Sequence, residues 1–332
     1  MIARRMFIKW CAVGGVGVAS SSYSPFLLAQ TNTITPVVPG PEVDQFKKAQ
    51  LNVLRKYDVS ARSRFLKLKK PPLSVHVLDA GQGSPVLLLH GGNASAAQFA
   101  PLMKPLQNEF HWFAPDRPGC GLTDKIDYRG VPFREHAVDF VMGLMNGLEL
   151  PEAAIVGSSM GSYWALVFAL AHPERVTKLV LIGEPAASGP PRPDAPAPPP
   201  APKNPTIESR RALYEARLVA NVDRVSTEIM EQDLAAARLP GAGLAWDSMR
   251  EEFQRQKLST YSLRPELKEL RPSTLFIWGD KERFGPPTLG QEMAAIAPHA
   301  HCEVVHDAGH VAWLDQPERC AQLTIDFLKG GA

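Results

Sequence analysis

Ser159 stands at the centre of Gly157-Ser158-Ser159-Met160-Gly161, a G-x-S-x-G spacing. A serine hydroxyl is a poor nucleophile at neutral pH. It needs a base to take its proton, and the base needs an acid to fix its tautomer. His310 follows in Asp307-Ala308-Gly309-His310, and carboxylates cluster just before it in Gly279-Asp280-Lys281-Glu282. A third carboxylate, Glu184, comes directly after Gly183. Upstream, His90-Gly91-Gly92-Asn93 is a glycine-bearing loop whose backbone N–H groups are free to turn toward a ligand. Such donors are what a developing oxyanion requires. The chemistry these residues offer is nucleophilic attack on a carbonyl. Each signal alone also fits a plain packed turn, so the weight rests on their order and on what positions them.

The positioning elements are legible as apolar runs. Residues 153–156 read as a buried strand and 164–171 as a helix. A very tight turn between them lifts Ser159 out of the sheet, next to a helix N-terminus that favours negative charge. Residues 86–89, 110–114, 176–182, 274–278 and 302–305 read as further strands, with covering helices at 133–148 and 317–328. Residues 64–68 and 73–78 alternate apolar and polar side chains and predict a hairpin of half-solvated strands. This alternation implies an α/β, doubly wound, mostly parallel sheet with helices on both faces. Ligands bind such sheets at the carboxyl ends of the strands, where His90, Ser159 and Glu184 all fall. Residues 116–124 sit at the same end and read as a turn without chemistry of its own.

Between residues 185 and 205, 10 of 21 residues are proline, an extended linker. Residues 209–270 are helical in character and predict a cap over the strand ends. Tyr214, Met230, Trp246, Met249 and Tyr261 are its candidate pocket walls. The expected organisation is an export signal over 1–30 and a Thr/Pro-rich lead with a surface helix over 31–60. A first core part spans 61–184, linker and cap 185–270, and a second core part 271–332.

The first 30 residues hold Arg4, Arg5 and Lys9 and no acid, then a glycine-rich apolar run. Basic start, apolar middle and a small residue near Ala29 describe an export signal, and the paired arginines resemble the twin-arginine type. The run is too short and too broken by serines and Pro25 for a stable membrane anchor. The expected location is periplasmic or extracellular. There a Cys302–Cys320 disulfide becomes chemically accessible. The chain has 332 residues and a formal net charge of +2. Without those three basic residues, 33 basic side chains face 34 acidic ones, so no basic field invites nucleic acid. The four cysteines lack metal-ligand spacing and no H-E-x-x-H occurs, so neither metal nor cofactor is expected.

With nucleophile, acid and histidine in that order, the chain resembles the α/β-hydrolase fold family in its cap-bearing branch. The matching pieces are His90-Gly91-Gly92, Gly157-x-Ser159-x-Gly161, Gly279-x-x-Glu282 and Asp307-Ala308-Gly309-His310, over roughly residues 60–330. The resemblance implies Ser159 as nucleophile, His310 as general base and then acid, and the N–H groups of Gly92 and Met160 as oxyanion donors. The family ordinarily carries Asp three residues after the glycine that ends this strand, where this chain has Glu282. Asp280 and Glu184 stay open as alternative acids. The implied activity is hydrolysis of a small carboxylic ester or lactone through an acyl-enzyme. Alternatives on the same triad are C–C bond hydrolysis beside a carbonyl, or cofactor-free haloperoxidase or perhydrolase chemistry. A non-catalytic binding protein on the same fold is the reading from another class.

Overall fold

The computed structural model describes residues 34–183, 202–255 and 262–330. The proposed export signal, most of the proline-rich linker, Glu184 and Tyr261 lie outside the described residues.

In chain order the strands are β1 (Ile34–Thr35), β2 (Arg62–Lys67), β3 (Ser74–Ala80), β4 (Pro85–Leu89), β5 (His111–Pro115), β6 (Lys125–Ile126), β7 (Ala153–Ser158), β8 (Val176–Ile182), β9 (Ser273–Gly279) and β10 (Ala300–Val305). The helices are α1 (Pro41–Lys56), α2 (Ala100–Gln107), α3 (Phe133–Gly147), α4 (Met160–Ala171), α5 (Ile207–Leu213), α6 (Thr227–Arg238), α7 (Ala242–Arg255), α8 (Pro287–Ile296), α9 (Ala312–Asp315) and α10 (Pro317–Lys329). Eight strands form one sheet in the order β10-β9-β8-β7-β4-β5-β3-β2. Pairing is parallel from β10 through β5 and antiparallel between β5, β3 and β2.

The central strands are apolar throughout because helices cover both faces. Successive side chains then split between two cores. Leu87, Leu89, Ile155, Leu179, Leu181, Phe276 and Trp278 face α3, α4 and α8. Val86, Leu88, Val156, Val180, Ile182, Leu275 and Ile277 face α2, α9 and α10. Leu88 is 0% exposed, so Leu88→Ala would cost about 2–5 kcal/mol. Helix α4 is buried on nearly every side from Met160 to Ala169, and it is correspondingly apolar all round.

Helices α5 to α7 and a 3₁₀ turn at Arg264–Glu269 build the cap. Its hydrogen bonds to the sheet-end loops are short-range clamps. Gln98 Nε2 donates to Tyr214 Oη at 3.1 Å, and Tyr128 N to Ser248 Oγ at 2.9 Å. Ala220 N and Asn221 N donate to the Asp315 carboxylate at 2.8 and 3.0 Å. Helix α1 has Pro41 at its start, acids in its first turn and bases in its last, as the helix dipole favours. It is more than a surface helix, since it buries Phe46 and Val53 and packs on α6.

Two further expectations change. The hairpin is not half-solvated on both strands: β3 is buried from Val75 to Ala80, because Val75 and Val77 pack in the core with α3 while Leu78 and Ala80 pack in the core with α2. Cys302 and Cys320 are free thiols. Cys302 packs with the α8 core and Cys320 with the α10 core, on opposite faces of the sheet.

Candidate active site

Strand β7 ends at Ser158 and α4 begins at Met160, leaving one residue for the whole reversal. Ser159 takes it with φ 50° and ψ −118°. A non-glycine residue at positive φ is strained, and strain of this kind persists only where the surroundings hold it. The Ser159 N–H donates to Ile182 O at 3.0 Å, and its C=O accepts from Tyr163 N at 3.1 Å. The flanking glycines are required by close approach. A Cβ on Gly161 would lie 1.9 Å from Leu89 O, and one on Gly157 would lie 2.6 Å from Ser162 Cα. Ser159 is partly exposed while Ser158 and Met160 are buried. Met160 opens a helix, so its N–H has no intrahelical acceptor and points out of the helix N-terminus.

His310 follows β10, and its Nδ1 lies 2.7 Å from Glu282 Oε2 in the loop after β9. Both groups are almost wholly buried. With a carboxylate as partner, Nδ1 carries the hydrogen and Nε2 is left to accept one. The second Glu282 oxygen accepts from Phe284 N at 2.9 Å, and the Phe284 ring lies 4.4 Å from that of His310. Backbone bonds tie the two loops together: Asp280 N to Val305 O at 3.0 Å and Lys281 N to Ala308 O at 2.9 Å.

Serine and histidine converge on the carboxyl end of β8. Ile182 O takes the Ser159 N–H, and the next residue, Gly183, lies against the His310 ring, where a Cβ would come within 3.1 Å of Nδ1. Among the described residues none hydrogen-bonds Ser159 Oγ. Hydrogen bonds of this kind are commonly loose without substrate and tighten in the complex. Among the described residues the other candidate acid, Asp280, has different partners. Asp280 is engaged by His306 Nδ1 at 2.7 Å and by Ala308 N at 3.3 Å, and Glu184 is outside the described residues. Asp307, with φ 53°, pairs with Arg224 from the cap.

The loop at residues 90–93 lies beside the serine, since a Cβ on Gly91 would sit 3.4 Å from Ser159 Cβ. Residues 116–124 do more than turn the chain. Arg117 is 2% exposed. Its Nε donates to His90 O at 2.8 Å, its Nη2 to Gly91 O at 2.6 Å, and its backbone N–H to His90 Nε2 at 2.9 Å. Gly91 C=O and Gly92 N–H belong to one peptide unit. A cation on the oxygen therefore polarises the N–H and fixes the plane in which it points. Among the described residues Arg117 forms no ion pair, so its charge adds to the positive field behind this loop. Burial, and then the Arg117 charge, hold His90 down to about 3, so it is neutral and able to accept. No local sequence signal announces Arg117, because its partners lie 26 and 27 positions away.

Trp246 of α7 roofs the loop: a Cβ on Gly92 would meet its Cζ3 at 2.8 Å. Tyr214 and Met230 instead pack within the core around α2 and α9, and Met249 within the core around α4. Among the described residues no cluster fit to hold a metal ion occurs, and no helix is long and apolar enough to cross a membrane.

Residues 84–317 match the α/β hydrolase fold family. The chain is 28% identical over 291 residues to a 2-hydroxy-6-oxo-6-phenylhexa-2,4-dienoate hydrolase of Burkholderia cepacia, covering 82% of this chain and 98% of that protein. In structure it is similar to carboxylesterase CesB from Bacillus subtilis, with TM-score 0.73 and 20% identity over 88% of this chain and 99% of the other. It is also similar to a 2-hydroxy-6-oxo-6-phenylhexa-2,4-dienoate hydrolase from Rhodococcus sp., with TM-score 0.70 and 23% identity over 82% and 100% of the two chains.

Proposed function

This chain belongs to the α/β hydrolase fold family, and from that premise we propose that it is a serine hydrolase that cleaves carboxylic esters or lactones through an acyl-enzyme. The observation that carries the reading is spatial. A strained serine at a helix N-terminus is bonded through its N–H to Ile182, and a histidine 2.7 Å from a buried glutamate lies against the next residue, Gly183, both at the end of β8. Ser159 Oγ attacks the carbonyl carbon while its proton passes to His310 Nε2. Glu282 holds the imidazole tautomer and stabilises the imidazolium. The N–H groups of Gly92 and Met160 receive the oxyanion. The leaving group departs with the proton from His310, and water then repeats the sequence on the acyl-enzyme.

A second reading keeps the triad and changes the bond. The dienoate on which the Burkholderia cepacia relative acts, by its name, contains no ester. Its hydrolysis must break a C–C bond beside the 6-oxo group, with the carbon fragment taking up the proton. That relative favours C–C cleavage for this chain too. Purified protein, with Ser159→Ala alongside, should be given aryl esters, lactones and a 2-hydroxy-6-oxo-dienoate. Ester turnover without loss of the dienoate chromophore supports the first reading, and the converse supports the second. Turnover of all three by Ser159→Ala would end both.

Export to the periplasm or beyond is proposed on Arg4-Arg5 and the apolar run after them. Cell fractionation of the native chain and of an Arg4→Lys/Arg5→Lys variant tests it, and equal export of both overturns the twin-arginine route.

A further inference from the structure

A second serine–histidine–carboxylate set lies across the antiparallel end of the sheet. Ser63 Oγ is 2.8 Å from His76 Nε2, and His76 Nδ1 is 2.8 Å from Asp116 Oδ2. His76 and Asp116 are fully buried, while Ser63 is exposed on β2, the edge strand. None of the three belongs to the site built on Ser159.

The proton positions follow from the partners. Burial opposes ionisation of Asp116, but its interactions with His76 and His90 and the Ala96 N–H outweigh it and hold the carboxyl at about 2. An ionised carboxylate only accepts, so His76 Nδ1 carries a hydrogen toward it. Asp116 is itself fixed by Ala96 N at 2.8 Å and Leu122 N at 2.9 Å, so the imidazole cannot turn over without breaking that frame. When Nδ1 carries the only ring hydrogen, Nε2 is bare and the Ser63 hydroxyl, 2.8 Å away, donates to it. This is the tautomer and orientation that a serine nucleophile needs from its base.

The surroundings of Ser63 suit an apolar electrophile. Arg62 and Arg64 project to the opposite face, where both pair with Asp79. On the Ser63 face stands Phe65, 53% exposed, its ring 5.3 Å from that of His76. Among the described residues the only hydrogen-bond partner of Ser63 Oγ is His76, so no further donor is at hand for an oxyanion.

We propose that Ser63 is a second activated hydroxyl, one that takes an acyl group from activated aryl esters with His76 as base and Asp116 as its anchor. The Ser63 proton moves to His76 Nε2 as the Oγ–acyl carbon bond forms. The bond from the acyl carbon to the aryl oxygen breaks, and the aryl oxide leaves with that proton as a phenol. An aryl oxide is a good leaving group, so this step tolerates the lack of oxyanion donors. The product is an alkyl ester with a poor leaving group, and without such donors it persists. Ser63 is therefore acylated once and does not turn over. This inference does not rest on the function proposed for Ser159.

The test uses the Ser159→Ala protein and para-nitrophenyl acetate, read by intact mass and peptide mapping. One acetyl group is expected on Ser63, forming on the order of 10²-fold faster in the native chain than in the same chain held in urea, the usual size of a general-base contribution. Ser159→Ala/Ser63→Ala should lose that adduct, and Ser159→Ala/Phe65→Ala should acquire it more slowly. An unlabelled Ser63, a rate equal in native and unfolded chains, or acetyl groups confined to lysines would each overturn the proposal.

Discussion

The serines of the two sets differ less in their base than in their backbone. Both have a histidine whose Nδ1 is held at 2.7 or 2.8 Å by a buried carboxylate. Ser63 lies in a regular strand, in register opposite Leu78, with its hydroxyl already bonded to the imidazole. Ser159 lies at positive φ on a single-residue reversal, at the mouth of a helix and beside a glycine loop. The first arrangement can deliver a proton acceptor. The second adds donors for the charge that appears on the substrate. Turnover should follow the donors, not the relay. The two sets also share one dipeptide at the end of β5: Asp116 serves His76 and Arg117 serves the loop beside Ser159.

The largest effect should come from deleting the nucleophile. Ser159→Ala should lower kcat by about 10⁴–10⁶-fold on whichever ester or dienoate proves to be the substrate. Ser63→Ala should leave steady-state turnover within about twofold, as an exposed substitution outside the site does. If Ser63→Ala abolished turnover and Ser159→Ala did not, the comparison would be inverted. Glu282→Gln should follow closely, at about 10⁴-fold, because an amide stabilises the wrong imidazole tautomer. Asp280→Asn should be far milder, since Asp280 binds His306 instead.

Arg117→Met should cost kcat about 10- to 10²-fold with little change in KM, less than removing an oxyanion donor outright. A boronic acid, which becomes tetrahedral on the serine, should lose affinity by the same factor. Substrate binding to Ser159→Ala should not change. Equal losses in both would make Arg117 a packing residue only.

The sheet was readable because buried parallel strands have no polar side to disguise them, and 176–182 coincides with β8. The elbow was readable because the glycine spacing answers to two close backbone approaches. The β3 strand misled for a physical reason. Ser74 and His76 suggest a wet face, but His76 is buried because Asp116, 40 residues on, satisfies its Nδ1. A buried polar group with a distant partner carries the same sequence pattern as a solvent-facing one. Asp116 and Arg117 were hidden in the same way, with acceptors and donors at residues 76, 90, 91 and 96.

The smallest effects should appear as stability against pH, and they separate the two regions. Behind the Ser159 loop, burial and then Arg117 hold His90 at about 3 instead of 6.5. Between those values an unfolded chain binds a proton that the folded chain refuses. Stability is therefore full above pH 6.5 and falls as pH drops toward 3, by at most about 1.4 kcal/mol per pH unit for one such group. His136, held by burial at about 4, adds to the loss in the same range. At the other set the window is lower. Asp116 is held at about 2 instead of 3.8, so its contribution is present above pH 3.8 and lost only as pH falls toward 2. Urea midpoints measured across pH should therefore decline in two stages. His90→Gln should shrink the upper stage and Asp116→Asn the lower one. A midpoint flat between pH 6.5 and 4 would mean that His90 is charged in the folded chain. A cation there could not accept the Arg117 N–H, and the account of how the 90–93 loop is held would fail with it.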